Sequence, residues 1–246
     1  MTVTAPPAVL PDAPLAEGTG FLGIVMLDTR FPRPLGDIGH PATWDPPTRR
    51  VAVERAWPAA VVQSAEGLRA AQLEEGFVAV FRLLAREGAR AITTSCGFLV
   101  LLQAELQAAA EVPVVTSSLL QLPALLDAAP RVGVLTISAE ALGTAHLRAA
   151  GVPEAPLGDV VVQGVDPAGE FATRILGNET SMDLARAQAD VVAAARALTA
   201  RAPDLTHLVL ECTNMPPYQA AIEAETGLRC RSLLDDARLL APFGRP

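Results

Sequence analysis

Lysine is absent from this 246-residue chain; its 19 basic residues are all arginine, and they are scattered. With 27 acidic residues the formal net charge is -8. That balance favours solubility and argues against a nucleic-acid partner, which would need clustered cations. Long apolar runs are missing as well. The longest uncharged stretches, near 91–104 and 112–126, fall short of the roughly 20 residues a membrane-spanning helix requires, and Pro123 interrupts the second. No membrane partner is expected. Cysteine is scarce: there are three, an odd number without C-x-x-C spacing, which suits a reducing cytoplasm better than a disulfide scaffold. The first 20 residues, MTVTAPPAVLPDAPLAEGTG, lack the basic start and apolar stretch of a signal peptide. Their Pro/Ala-rich composition predicts a disordered tail over 1–20. His40, His146 and His207 are isolated, so no metal site is expected. The G-x-G-x-x-G at 18–23 precedes a strand instead of following one, and lacks the helix start that would hold a pyrophosphate.

What is present is an alternation of strand and helix patterns. FLGIVML (21–27) reads as a buried strand, and the Pro-rich stretch 28–50 as a long loop of the kind that forms lids. Residues 64–88 carry apolar positions at helical spacing up to Gly88. ARAITTS, then a helix, then VPVVTSS complete a first half. The second half repeats the order: RVGVLTI (131–137), a helix over 138–151 capped by Ser138, GDVVVQGV (158–165), a long helix over 181–201, THLVLE, a further helix and LRCRSLL. Such alternation predicts parallel sheets built from strand–helix–strand units. Spacing supports a duplication. Sixteen residues separate Cys96 from Val112 and Cys212 from Leu228; 73 separate Gly23 from Cys96 and 79 separate Gly133 from Cys212.

Cys96 and Cys212 therefore fall at equivalent strand ends of two similar half-chains, where open α/β sheets bind ligands. Two thiols facing one ligand from opposite lobes suit moving a proton between the two faces of a carbon. The backbone N–H groups of the turn after each cysteine, with the positive end of the helix that comes next, are expected to lower the thiol pKa and to stabilise a developing enolate. Hydroxyl and amide groups lie near the strand ends: Thr94, Ser95, Thr116, Ser117, Ser118, Thr136, Ser138, Thr213 and Asn214. Arg30 or Arg33 offers a partner for a substrate carboxylate. Cys230 and the three histidines read as structural residues.

TTSCGF before the first helix and LVLECTN in the second half resemble the aspartate/glutamate racemase superfamily, which includes hydantoin racemases and has maleate isomerase and arylmalonate decarboxylase as relatives. The resemblance runs from about 21 to 232, and also rests on VPVVTSS and RVGVLTI. It implies an α/β fold of two pseudo-symmetric three-layer lobes with parallel sheets, usually dimeric, with the active site in the cleft between them. The lobes would span 21–120, with 233–246 packing back on the first, and 121–232. It implies catalysis without a cofactor on a small carboxylate-containing substrate, with Cys96 and Cys212 as acid and base. Carboxylate binding would fall near Gly97, Ser117, Ser118, Thr136 and Thr213, with Ser95, Asn214 and Arg30 alongside. The chain departs from the family pattern at Gly97-Phe98, at Asn214 and at Glu211, whose carboxylate would raise a thiol pKa if it faced the cleft. Cys-Thr-Asn is nearer to the maleate isomerase side. The expected activity is racemisation or epimerisation next to a carboxylate or carbonyl. The alternatives are a cysteine-dependent isomerase or decarboxylase of a small dicarboxylic acid, and an inactive small-acid-binding protein.

Overall fold

The structure, a computed structural model, describes residues 2–4 and 20–244. Its first element, β1 (Thr2–Thr4), pairs antiparallel with Ser181–Asp183. The expected tail is therefore ordered at these three residues, because their backbone groups find a ladder partner; residues 5–19 lie outside the described part.

The first lobe holds β2 (Phe21–Met26), β3 (Thr48–Ala52), β4 (Ala89–Thr94) and β5 (Val114–Val115), all parallel, in the order β3-β2-β4-β5. All six residues of β2 are buried, since both faces of the sheet are covered. Phe21 and Val25 join the main core, while Leu22, Ile24 and Met26 pack with Ile38, Trp44, Leu233 and Leu239 on the other face. The period-2 alternation thus divides one apolar run between two layers. The chain's last helix, α10 (Ala237–Leu240), supplies Leu239 to that second layer.

Between β3 and β4 run α1 (Pro58–Val61), α2 (Ala65–Ala70) and α3 (Glu74–Arg86). The single helix expected over 64–88 is split: Ser64 caps α2, and Gln72 turns into the left-handed region at φ 53 before α3 begins. The 28–50 stretch is not loop throughout either, because Thr48–Ala52 extends the sheet beside β2. Phe77, Phe81 and Leu84 form the buried stripe of α3. After β4 the chain winds through a 3-10 turn over Gly97–Leu102 into α4 (Gln103–Ala108).

The second lobe begins after α5 (Leu122–Ala128). It contains β6 (Val132–Thr136), α6 (Thr144–Ala149), β7 (Val160–Gly164), α7 (Glu170–Leu176), β8 (Ser181–Asp183), α8 (Leu184–Arg201), β9 (His207–Leu210), α9 (Gln219–Thr226) and β10 (Arg229–Arg231). The helix expected from Ser138 starts six residues later, because the Ser138 hydroxyl accepts from Ala141 N and holds a turn there instead. Helix α7 escaped the sequence pattern.

The second sheet has the order β10-β9-β6-β7, so each lobe places its second strand outside the first and its third and fourth on the other side. The equivalence reaches single residues. Gly23 pairs with Ile92 and Gly133 with Leu208. A Cβ at Gly23 would lie 3.1 Å from Leu84, and one at Gly133 2.9 Å from Leu198. Both glycines let the covering helix, α3 or α8, close onto its sheet. Replacing the fully buried Phe81 by alanine is expected to cost about 3–5 kcal/mol, read as a lowered urea midpoint with an unchanged m-value.

Candidate active site

Each third strand ends in the same way. Ser95 N donates to Val25 O and Glu211 N donates to Leu135 O, each at 2.9 Å, and the next residue is a cysteine leaving the sheet. The cysteines stand beside the point where strand order reverses. Cys96 and Cys212 line one cavity between the lobes, together with Ser95, Gly97, Glu211, Thr213 and Asn214. Its remaining wall is apolar, with Leu27, Phe31, Val62, Phe98, Ile137 and Ile175. The cavity holds about 20 Å³, room for little more than one water.

Hydrogen bonds close the lobes around it. The Thr213 hydroxyl donates to Ser95 O at 2.6 Å, and Ser118 Oγ donates to Leu210 O at 2.7 Å. Ile38 N donates to Thr213 O at 3.2 Å, bringing the 28–50 segment across the cleft. A polar chain continues outward from the second thiol. Cys212 Sγ lies 3.6 Å from Asn214 Oδ1, Asn214 Nδ2 donates to Asp37 Oδ2 at 2.6 Å, and Arg33 pairs with Asp37 at 2.7 Å. Arg33 also donates to Thr29 and lies over the Phe31 ring, 4.6 Å from its centroid.

Glu211 faces this cavity. Its Oε2 accepts from the Thr136 hydroxyl at 2.7 Å, while Oε1 is buried without a hydrogen-bond partner. Oε1 lies against Gly97, where a Cβ would overlap both it and the Glu211 carbonyl. Burial pushes the Glu211 carboxyl up to about 8, against the opposing hydrogen bond from Thr136. Burial also pushes Cys96 up to about 12, and the Glu211 carboxylate adds to the rise. Cys212 is raised well above the usual thiol range by burial first and Glu211 second. The expected backbone donors are present: Phe98 and Leu99 N–H groups serve Cys96, and Asn214 N–H serves Cys212. They do not prevail. The expectation of lowered thiol pKa values is overturned, because a few amides cannot replace the water lost when both thiols are buried.

The sequence profile of the Asp/Glu/Hydantoin racemase family matches residues 42–241. The chain belongs to that family. Among curated proteins this racemase-family chain is similar to a dimethylsulfoniopropionate lyase of Durusdinium sp. clade D, 28% identical over 215 residues, which span 84% of this chain and 69% of that one. It is similar too to dimethylsulfoniopropionate lyase 5 of Emiliania huxleyi, 31% identical over 223 residues, spanning 84% of this chain and 42% of the relative. This chain thus spans less than half the length of the Emiliania protein. Solved structures of like fold include unliganded arylmalonate decarboxylase, with TM-score 0.52 and 18% identity, covering 92% of this chain and 90% of that one. Glutamate racemase of Francisella tularensis in complex with D-glutamate has TM-score 0.55 and 15% identity, covering 92% of this chain and 79% of that one.

Of the residues expected at the site of this family member, Cys96, Ser95, Gly97, Cys212, Thr213 and Asn214 line the cavity. Thr136 reaches it through Glu211. Ser117 and Ser118 do not: Ser117 Oγ caps the turn at Leu119 N, and Ser118 is spent between the lobes. Arg30 does not line the cavity either. It is exposed, and its backbone N donates to Asn178 Oδ1, because the Pro-rich segment turns its side chain to solvent while Arg33 turns inward. Asp37, Phe31 and Ile175 were missed by sequence reasoning, and no pattern marks them. Among the described residues no cluster of His, Cys, Asp or Glu could hold a metal, and no helix is long and apolar enough to cross a membrane.

Two outcomes are expected. Gly97→Ala should force the lobes apart at Glu211, with a stability loss of about 1–3 kcal/mol by urea denaturation. Between pH 4.5, the ordinary value for Glu, and about 8, native Glu211 keeps a proton that the unfolded chain has released. The native state then binds more protons, so this group makes stability fall as pH rises, by about 1.4 kcal/mol per pH unit. Unfolding titrations from pH 5 to 8 should show a flatter slope for Glu211→Gln.

Proposed function

We propose that this chain removes the proton from a carbon next to a carboxylate, without a cofactor, using Cys96 and Cys212 as its acid–base groups. The observation that carries the reading is one cavity lined by both thiols, each delivered by the equivalent strand end of an opposing lobe. A pyridoxal route would need a lysine for its Schiff base, and these 246 residues contain none.

In the common step a thiolate takes the Cα proton and the C–H electron pair passes into an enediolate. Burial opposes ionising either thiol beforehand, so the thiolate forms as substrate enters and its charge is compensated. The fate of the enediolate depends on the β-carbon. If it bears a leaving group, the electron pair forms a Cα=Cβ bond, the Cβ–X bond breaks with its pair on X, and the thiol later returns its proton to solvent. A sulfonium substituent would leave as a neutral thioether.

We favour this elimination. The dimethylsulfoniopropionate lyases, similar over 84% of the chain, support it. So does the wall: no arginine lines the cavity, and Arg33 is committed to Asp37. A substrate with one carboxylate and an apolar or onium end suits such a wall better than aspartate or glutamate, with two carboxylates to neutralise. The second reading is inversion, in which the opposite thiol returns a proton to the other face. The matched placement of Cys96 and Cys212 favours it. At about 20 Å³ the cavity is smaller than any such substrate, so either route needs side chains of its wall to move.

Proton NMR in D₂O tests the reading on dimethylsulfoniopropionate, amino acids, hydantoins and small dicarboxylic acids. Elimination would give alkene and methyl sulfide signals; inversion would put deuterium at Cα with both enantiomers formed. Elimination, which uses one thiolate, should lose about 100-fold or more of turnover in one of Cys96→Ser and Cys212→Ser, whereas inversion should lose as much full turnover in both. Loss from only one variant would point to a one-thiol lyase. No exchange or elimination anywhere in the panel would sink the proposal and leave a binding protein.

A further inference from the structure

We propose that Glu211 is the group that receives the substrate's carboxylate, donating a hydrogen bond from its own carboxyl proton to one carboxylate oxygen. This rests on the reading of the cavity as a carboxylate site and adds a catalytic residue to the two thiols. The geometry comes first. Glu211 is 1% exposed and lines the cavity that both thiols line, yet its Oε1 has no hydrogen-bond partner and lies against Gly97, another residue of the wall. An unmatched polar atom in such a place is costly unless something fills it. Oε2 is pinned by the Thr136 hydroxyl at 2.7 Å, which fixes the carboxyl plane and leaves Oε1 to the cavity. Gly97 provides the space, since any side chain there would overlap Oε1.

Two other side-chain donors at the wall already have partners. Thr213 gives its hydroxyl proton to Ser95 O, and the Asn214 amide donates to Asp37. With no arginine in the wall, a carboxylate entering this cavity meets Glu211 as the carboxyl group with an unpaired oxygen. Burial keeps that carboxyl protonated up to about pH 8, so at neutral pH it is a donor and not a repelling charge. An O–H···O⁻ bond is among the stronger hydrogen bonds. It strengthens further as charge moves onto the carboxylate in the enediolate, which favours the transition state over the bound substrate. A neutral carboxyl group in an apolar site is a known means to that end.

The titratable and charged groups facing Glu211 are Cys96 from the first lobe and Cys212 from its own strand end, with Asp37, Arg33 and Tyr218 behind the thiols. Both thiols are raised far above the range in which Glu211 titrates. A break in ligand affinity near pH 8 therefore belongs to Glu211.

The test is calorimetric titration with propionate from pH 6 to 9, which needs no turnover, on the whole chain and on Glu211→Gln, Glu211→Ala and Thr136→Val, each checked by Tm. The unmodified chain should bind propionate with constant affinity to about pH 7.5 and then lose about tenfold per pH unit as the donor proton is lost. Glu211→Gln keeps an N–H donor; its affinity should be independent of pH and within about fivefold of the parent at pH 6.5. Glu211→Ala should bind at least tenfold more weakly. Thr136→Val removes a bond that favours the ionised carboxyl, so the break should move to higher pH. Affinity independent of pH in the parent chain would overturn the assignment, as would no binding, or a folded Glu211→Gln as weak as Glu211→Ala. Cα exchange combined with pH-independent propionate binding would keep the thiol pair and remove Glu211. Proton-linked binding without turnover in the panel would keep Glu211 as the carboxylate site and remove the proposed reaction.

Discussion

Removal of water from the space between two lobes governs the chemistry available there. Two thiols and a carboxyl group share a cavity with room for about one water, and each would rather be neutral than charged in it. The interlobe bonds from Thr213 and Ser118 hold the lobes together beside it, and much of the wall is apolar. The resting site is thus an uncharged one. On the proposed function, reactivity would come from a ligand whose own charges complete the cavity.

Duplication explains how such a site was assembled. Two sheets of identical topology bring their third strands to the same meeting place, so one pattern of backbone hydrogen bonds delivers both cysteines. The symmetry stops at the residue before. Ser95 and Glu211 hold equivalent places, and each donates its backbone N–H to the equivalent carbonyl. The serine side chain accepts from Leu27 N inside its own lobe, while the glutamate projects into the cavity. A symmetric scaffold therefore presents an asymmetric set of groups.

Much of this was legible in the chain. Buried parallel strands read as apolar runs, and the matched spacing of glycine and cysteine marked the two lobes, because backbone register is preserved when a unit is duplicated. Glu211 was also visible as an anomaly beside a thiol. Short helices were less readable. The left-handed Gln72 and the turn held by Ser138 interrupt stretches whose apolar periodicity alone would continue. Strand β3 was hidden in a Pro-rich segment, since a sheet neighbour, not its own pattern, makes it a strand.

The sequence by itself determined the class of fold, the pairing of Cys96 with Cys212 and the family, because these depend on periodicity, spacing and local motif. Only the tertiary structure decided which arginine turns inward, that Ser117 and Ser118 are spent on caps and clasps, and that the thiols are held up instead of down. Those outcomes depend on burial and on partners distant in the chain, such as Asp37 with Asn214 and Thr136 with Glu211. Desolvation is a property of the folded site, and no single segment of the chain encodes it.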